Sequence, residues 1–263
     1  MGFTSSKQAG DEMVEIKRLF TPEFRNRLDA TISFKALDHD IILRVVDKFL
    51  MQLEEQLHEK KVDATFTNAL KVHLASHGFD PLMGARPMQR LIQDLLTLSA
   101  LESGAPVAHE EPVDIVALLE EVYQEASVVS AGRHTLDLEC PPKAHLLGNA
   151  KELYSVFANL AINAVRYTPA GGHIRISWRQ RGAVVDYSVE DDGIGIAPEH
   201  IPRLTERFYR VDRGRSRETG GTGLGLAIVK HVLSRHQGDL LIDSEPGRGS
   251  RFTASFPTRR LVN

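Results

Sequence analysis

A glycine-rich run that opens directly into an apolar helix is the feature that most restricts the fold of this chain. Residues 220–226 read Gly-Gly-Thr-Gly-Leu-Gly-Leu, and Ala-Ile-Val follows at 227–229. Successive backbone N–H groups at a helix start form a nest for anions, which the helix dipole favours further. A flexible linker is the alternative, but linkers rarely lead straight into an apolar helix. The run therefore predicts a phosphate-binding loop at a helix N-terminus.

An asparagine pair lies upstream of this run. Asn159 and Asn163 are four residues apart, so they share one face of a predicted helix at 150–167, with Arg166 and Tyr167 close by. Amide oxygens suit Mg²⁺ bound to phosphates, because this ion keeps several waters and takes few protein ligands. The forked donors of an arginine can meet phosphate oxygens. Taken alone, such a pair is usually a solvated helix face.

An acidic, glycine-containing motif lies between the asparagine pair and the glycine-rich run. Residues 191–196 read Asp-Asp-Gly-Ile-Gly-Ile and follow a predicted strand. A carboxylate at a strand end can accept the amino protons of adenine, which distinguish this base. The glycines let the backbone approach the ring. On its own, the motif is most often a turn.

A polar loop with an aromatic anchor comes next. Residues 206–210 read Glu-Arg-Phe-Tyr-Arg, and a basic stretch follows at 213–217. The pattern predicts a lid over a pocket, although a charge run of this kind is otherwise simply solvated. A last turn, Gly-Arg-Gly-Ser at 247–250, joins two strands of a predicted final hairpin.

The periodicity of apolar residues predicts an α+β chain with helices first and a sandwich second. Helices are expected over about 38–57, 67–76 and 87–101. The second half alternates between helices and strands. Its predicted helices are 113–125, 150–167 and 225–235, and its predicted strands are 134–139, 145–147, 174–178, 185–189, 240–244 and 251–256.

In this order, the motifs resemble the N, G1, F, G2 and G3 boxes of the histidine-kinase ATP-binding fold, which gyrase, Hsp90-type and MutL ATPases share. Residues 196–210 are most similar to sensor kinases of the phosphate-regulon type. The resemblance covers about 95–257 and implies a Bergerat-type α/β sandwich that binds ATP and Mg²⁺.

The resemblance also implies roles for individual residues. Asn159, with Asn163, would hold Mg²⁺, and Asp191 would hold adenine. Arg166 would steady the transferring phosphoryl group, so the implied catalytic residues are Asn159, Asn163 and Arg166. The whole implied ATP-binding set is Asn159, Asn163, Arg166, Tyr167, Asp191, Gly193, Gly195, Ile196, Phe208, Tyr209, Thr222, Gly223, Leu224, Gly225 and Leu226.

The first part of the chain resembles a different family. Residues 20–29 and 84–92 are similar to the second AAA+ module of Clp-type unfoldases, the A subunit in particular, over about residues 2–94. Matching positions would make Arg27 an arginine finger and Arg86 a sensor-2 arginine, although a surface role is favoured for both. The sequence contains no Gly-x-x-x-x-Gly-Lys-Ser/Thr loop.

The two resemblances together predict a chimera of three parts. These are an unfoldase-like fragment at 1–94, a joining helix at 86–103 that resembles the tail of a kinase dimerisation hairpin, and an ATP-binding domain at 110–257. The joining helix is amphipathic, with leucines on one face, and reads acceptably as part of either family. The fold class expected is therefore a helical AAA+ small-subdomain-like fragment joined by a helix to an α/β sandwich.

The functional expectation is a protein histidine kinase domain. Sensor kinases phosphorylate a histidine in a His-Glu/Asp-Leu-Arg-Thr-Pro box, and none of the eleven histidines here has that context. The domain is therefore expected to act only on a phosphoacceptor hairpin supplied in trans, with a response regulator as a further partner. The alternatives are a nucleotide-binding module without turnover and an interaction fragment that joins Clp subunits.

Composition excludes several other classes. A net charge of −3 argues against nucleic acid as the main partner. The single cysteine, Cys140, rules out an internal disulfide and fits a reducing compartment. No apolar run approaches the length of a membrane span. The chain is therefore expected to be cytoplasmic, although a parental sensor kinase would be anchored in the inner membrane.

Overall fold

The computed structural model describes residues 21, 27, 38–59, 65–77, 86–102, 109–141, 143–211 and 222–262. Contacts divide the chain into two units, Met1–Leu37 and Asp38–Asn263. In the first unit the described residues are Thr21 and Arg27, and Arg27 is exposed. The helices and strands given below all belong to the second unit.

Three helices lead the second unit: α1 at His39–Glu59, α2 at Asn68–His77 and α3 at Arg86–Glu102. Asp38 caps the start of α1, because its Oδ1 accepts the N–H of Ile41 at 2.8 Å. Within the described ranges, no helix combines the length and apolar character needed to cross a membrane. The apolar core of the three helices includes Ile42, Val46, Leu50, Leu53, Leu74, Leu91 and Leu98.

Helices and strands alternate in the rest of the unit. In chain order these elements are β1 Glu111–Asp114, α4 Ile115–Ser130, β2 Thr135–Glu139, β3 His145–Gly148, α5 Ala150–Tyr167, β4 His173–Arg181, β5 Val184–Asp191, α6 Gly225–Arg235, β6 Asp239–Glu245, β7 Gly249–Pro257 and β8 Leu261–Val262. Two single-turn 3₁₀ helices, Ile201–Arg203 and Thr258–Arg260, accompany them.

Five of the strands form one sheet in the order β2-β4-β5-β7-β6. β2 and β4 are parallel and the other neighbours are antiparallel. Helices α4, α5 and α6 contact this sheet, and α5 packs against both α4 and α6. The predicted α/β sandwich is confirmed, and it brings the end of β5 close to α5 and α6.

The core between α5 and the sheet is built on aromatic rings. Phe157 of α5 stacks on Tyr187 of β5 with ring centroids 4.0 Å apart and an interplanar angle of 17°. Both residues have no exposed surface, and the Tyr187 hydroxyl donates to the Phe157 carbonyl oxygen at 2.9 Å. Burial raises the pKa of Tyr187 far above its usual value, which keeps this donor protonated. Trp178 and Phe256 lie beside Phe157.

The start of α4 departs from the sequence prediction. A helix at 113–125 was expected, but Asp114 is extended, with φ −68° and ψ 107°. Its carboxylate accepts the N–H groups of Val116 and Ala117, so the helix begins only at Ile115. The far end runs on to Ser130, where Ala131 adopts a left-handed conformation. The prediction was wrong at both ends, because local capping bonds and not apolar periodicity set them.

A small second sheet was not predicted at all. It has the order β1-β3-β8 and pairs residues at opposite ends of the domain, Leu146 with Leu261 among them. β1 contains a proline and β8 has two residues, so neither shows an alternating apolar pattern. Arg260 reinforces the pairing as its guanidinium donates to Glu110 and to the Leu147 carbonyl, both at 2.9 Å.

A buried histidine joins the start of α5 to the end of α6. His236 has no exposed surface, and its Nδ1 lies 2.9 Å from the carbonyl oxygen of Val232. Its Nε2 accepts the backbone N–H of Asn149, the residue that caps α5. Burial lowers the pKa of His236, so the ring is neutral and can accept this bond. The pair Arg235–Glu152, 3.2 Å apart, adds a second tie.

The aromatic core yields the first testable prediction. Phe157→Ala removes the ring that stacks on Tyr187, so the free energy of unfolding should fall by about 3–5 kcal/mol. Urea denaturation of the full chain measures this as a lower midpoint with an unchanged slope. Val128→Ala is the control, because Val128 is 78% exposed and should change stability by less than about 0.5 kcal/mol. Equal losses in the two variants would contradict this account of the core.

Candidate functional site

A cleft of about 380 Å³ opens where the end of β5 meets the C-terminal half of α5 and the start of α6. Most residues that the sequence motifs implicate line this one cleft, although they come from four separate stretches of chain. Those lining it are Asn159, Asn163, Arg166, Tyr167, Asp191, Gly195, Ile196, Tyr209, Thr222, Gly223, Gly225 and Leu226.

Three implicated residues lie beside the cleft and support it. Gly193 donates its N–H to Asp191 Oδ1 at 2.9 Å, and a Cβ there would clash with the Tyr167 carbonyl. Leu224 is fully buried beneath the glycine-rich loop. Phe208 has a positive φ of 61°, and its N–H donates to the carbonyl of Gly223 at 2.9 Å.

The remaining predicted groups are not among the described residues that line the cleft. The basic stretch 213–217 and residues 220–221 lie outside the described residues, as does the side chain of Arg86. Arg27 belongs to the other contact unit. The roles suggested for these residues therefore stay predictions.

Asp191 forms the acidic end of the cleft. It is 7% exposed, and its carboxylate is held by the backbone N–H of Gly193. Burial raises the pKa of Asp191 to about 6, against the lowering effect of N–H groups from Gly193 and Ser250, while Asp192 and Glu190 add to the rise. The Asp191 carboxylate is therefore ionised at neutral pH, and at this mostly buried position it can accept hydrogen bonds from a ligand.

Asn159 presents its amide oxygen to the start of α6. Its Nδ2 donates to the carbonyl of Ser155 one turn back at 2.8 Å, which leaves Oδ1 on the opposite side. A Cβ on Gly225 would lie 2.5 Å from that oxygen. The glycine at 225 is thus needed for a close approach between α5 and α6, and it leaves an oxygen ligand at their junction.

The glycine-rich loop gives the cleft its helix N-terminus. Gly223 has a positive φ of 72°, and Gly225 begins α6. Thr222 Oγ1 accepts the N–H of Leu224 at 3.3 Å, which fixes the turn before the helix. The first N–H groups of α6 have no partner inside the helix, so they are available to an anion.

Tyr209 is held over the cleft by two neighbours from the segment that precedes it. Its hydroxyl lies 2.7 Å from Nδ1 of His200, and the Arg203 guanidinium lies 4.2 Å from the centre of its ring. Arg203 also pairs with Glu206, which raises its pKa further. The ring position therefore depends on polar contacts and does not rest on apolar packing alone.

Several lining residues were missed by the sequence analysis. Ser250 ends the predicted final turn, Phe252 lies two residues after it, and Arg210 ends the predicted lid anchor, so membership of a motif or adjacency to one could have indicated them. Burial lowers the pKa of Arg210. Asp94 is different, because it comes from α3, far upstream in the sequence, and accepts a hydrogen bond from Thr222 Oγ1 at 2.7 Å. No sequence pattern indicates that contact.

Family models match two parts of the chain. Residues 148–260 match the family described as histidine kinase-, DNA gyrase B-, and HSP90-like ATPase. Residues 37–99 match the C-terminal, D2-small domain of ClpB protein. The two matches do not overlap: the ClpB-type match ends within α3, and the ATPase match begins at Gly148, the last residue of β3.

Individual relatives support the first match. The phosphate regulon sensor protein PhoR of Pseudomonas aeruginosa is 52% identical over 176 residues, which is 66% of this chain and 40% of that protein. The sensor-like histidine kinase SenX3 of Mycobacterium tuberculosis is 39% identical over 177 residues, 67% of this chain and 43% of that protein. The chain thus spans less than half the length of these relatives.

Solved structures show the same fold. The histidine kinase AdeS of Acinetobacter baumannii aligns with a TM-score of 0.54 and 22% identity, over 84% of this chain and 98% of that chain. Full-length ShkA, solved in complex with AMPPNP, aligns with a TM-score of 0.56 and 24% identity, over 84% of this chain and 46% of that one.

The raised pKa of Asp191 predicts pH-dependent binding of an adenine ligand. Above about pH 6 the carboxylate is ionised and accepts the amino protons of adenine; below it, a proton must be removed first. Affinity for adenosine, which has no phosphate to titrate, should fall about tenfold between pH 7 and pH 5. Calorimetric titration across this range measures the change.

Two variants separate Asp191 from other titrating groups. Asp191→Asn has no carboxylate to protonate, so its affinity should be lower at pH 7 and should lose the step near pH 6. Asp192→Asn, which alters the exposed neighbour that accepts the N–H of His173, should keep the step but move it to a slightly lower pH, because Asp192 contributes to the raised pKa of Asp191. The same step in Asp191→Asn as in the wild type would contradict the assignment.

Proposed function

We propose that this chain binds Mg²⁺-ATP in the cleft and transfers the γ-phosphoryl group to a histidine supplied in trans, because residues 148–260 match the histidine kinase-type ATPase family and a sensor kinase is 52% identical. The observation that carries the proposal is the convergence of three motifs on one cavity. Asp191, the asparagine pair of α5 and the glycine-rich loop all line it.

The cleft offers an acceptor for adenine at one end and an anion site at the other. Asp191 is buried at the end of β5, where its carboxylate suits the adenine amino group. The start of α6, reached through Thr222 and Gly223, suits the phosphates because it combines free N–H groups with the helix dipole. A nucleotide would therefore lie with its base towards β5 and its phosphates towards α6.

The residues between these ends fit Mg²⁺. Asn159 directs a neutral amide oxygen to the α5–α6 junction, and Asn163 lines the same cavity one turn on. Among the described residues no group of three His, Cys, Asp or Glu side chains could hold a metal, so amide ligands with water fit better than a carboxylate cage. When bound, Mg²⁺ would neutralise charge on the phosphate oxygens.

Arg166 is proposed to act on the transferring group. It lines the cleft one turn beyond Asn163, at the end of α5. During transfer the bond between the γ-phosphorus and the β–γ bridging oxygen breaks, a bond to an imidazole nitrogen forms, and ADP leaves. A guanidinium near the phosphate oxygens stabilises the charge that shifts to ADP, and positioning supplies most of the remaining rate enhancement.

The adenine assignment can be tested by removing the carboxylate. Asp191→Ala should weaken ATP binding at pH 7.5 by about 10–100-fold, because the adenine amino group loses a charged acceptor. Fluorescence or calorimetric titration of the full chain with Mg²⁺-ATP measures this. Asp137→Ala, which removes an exposed carboxylate paired with His173 on the sheet, is the matched control and should leave affinity unchanged. Unaltered binding by Asp191→Ala would remove the basis for the adenine assignment.

The magnesium site can be tested through the glycine that faces Asn159. Gly225→Ala would place a Cβ 2.5 Å from Asn159 Oδ1 and force this oxygen aside. Affinity for Mg²⁺-ATP should fall by at least about tenfold, whereas adenosine affinity, which needs no metal, should hold. A uniform loss for both ligands would indicate damage to the cleft as a whole and count against the ligand role of Asn159.

Phosphoryl transfer has its own test. The chain is incubated with Mg²⁺-ATP and the isolated helical hairpin, with its acceptor histidine, of the Pseudomonas relative. We expect alkali-stable, acid-labile phosphohistidine on the hairpin, and a rate at least about tenfold lower with Arg166→Gln. ATP binding without any phosphohistidine would instead favour the alternative, a nucleotide-binding module without turnover.

For the leading helices we propose an origin in a Clp-type small subdomain. The match of residues 37–99 to the ClpB D2-small model supports this, and α1 to α3 fall in that range or begin in it. The chain would then be a chimera, and association with Clp subunits would be a second candidate function. Comigration with an intact Clp unfoldase in size-exclusion chromatography would support that function, and a strictly separate species would count against it.

A further inference from the structure

Asp94 places a negative charge inside the nucleotide cleft from outside the sandwich domain. It is carried by α3, yet it lines the same cavity as Asn159 and Arg166. Its Oδ2 accepts a hydrogen bond from Thr222 Oγ1 at 2.7 Å. Thr222 is the residue that leads into the turn before α6, so this carboxylate lies where phosphates are expected to arrive.

Packing holds α3 in the position that this contact needs. Leu91 and Leu98 flank Asp94 on the helix and are 1% and 2% exposed, and α3 packs along α6. Asp94 is therefore fixed against the glycine-rich loop by the same interface that fixes its helix. The carboxylate is a built part of the cleft wall.

The leading helices also contact Phe208, which precedes the glycine-rich loop in the sequence. His73 of α2 meets the ring of Phe208 edge-on, with ring centroids 4.9 Å apart. Phe208 is in turn bonded to Gly223 through its N–H. Helices α2 and α3 thus contact Phe208 and Thr222, which are tied to each other through Gly223.

A carboxylate in this place discriminates between ligands by charge. Each phosphate adds negative charge near Asp94. Charges in a half-enclosed cleft are screened much less than charges that are fully surrounded by water, so the repulsion between them is stronger. Arg166 and Arg210 line the same cleft and attract phosphates, so Asp94 opposes them. A neutral nucleoside experiences neither effect.

We propose that Asp94 is a specificity-determining residue of the nucleotide site. Its negative charge at Thr222 lowers the affinity for a nucleotide, and the effect grows with the number of phosphate charges that the nucleotide carries. This inference rests on the proposed binding of ATP in the cleft. It predicts that the charge of Asp94 has no effect on the affinity for adenosine but lowers the affinity for ATP.

The test is a ligand series on two proteins. Adenosine, AMP, ADP and ATP are titrated into the full chain and into Asp94→Asn, which keeps an acceptor oxygen and the side-chain volume but removes the charge. We expect ATP to bind about tenfold tighter to the variant, ADP to show a smaller gain, and adenosine to change by less than about twofold. The gain for ATP should shrink as salt is raised from about 0.05 M to about 0.5 M.

A matched control removes the same charge from a position outside the cleft. Glu55→Gln removes an equal charge from α1, where Glu55 is exposed and outside the cleft, and should leave all four affinities unchanged. An equal gain for adenosine and ATP in Asp94→Asn would overturn the charge mechanism, and so would unchanged ATP affinity. If neither protein bound any ligand of the series, the proposed function itself would fail, and the role of Asp94 with it.

Discussion

The stack between Phe157 and Tyr187 joins helix α5 to the central strand of the sheet, and the geometry of the cleft follows from it. The Tyr187 hydroxyl also binds the Phe157 carbonyl, so ring and backbone are fixed together. Asn159 comes two residues after Phe157, and Asp191 comes four after Tyr187. One buried contact therefore sets the separation between the amide oxygen on the helix and the carboxylate at the strand end.

The cleft combines opposite charges in a small space. Asp191 and Asp94 contribute carboxylates at its two ends, and Arg166 and Arg210 contribute guanidinium groups between the helix and the lid. Burial acts on both kinds, since it raises the pKa of Asp191 and lowers that of Arg210. A ligand with an uncharged base and an anionic tail would meet Asp191 at its base and the two guanidinium groups at its tail, where Asp94 opposes their attraction.

Residue spacing predicted much of this arrangement, and the limits of that prediction are physical. The bounds of α5 and α6 followed from apolar periodicity, and the cleft residues from motifs of adjacent positions. Asp94 could not be found in this way, because its contact with Thr222 depends on how α3 packs against α6. The sheet formed by β1, β3 and β8 was missed because β1 contains a proline and β8 has only two residues, so neither shows an alternating apolar pattern. Local patterns thus reveal what neighbours in sequence do, and long-range packing decides the rest.

His236 adds a mechanical consequence. It ties the first residue before α5 to the last turn of α6, at the ends of these helices that face away from the cleft. With the aromatic core holding α5 along its length, the two helices form a stiff frame that resists relative rotation. Among the described residues that line the cleft, those at 204–211 and 222–223 lie outside this frame, and Phe208 and Thr222 in the same two stretches contact α2 and α3. The leading helices therefore support the part of the cleft wall that the α5–α6 frame does not hold.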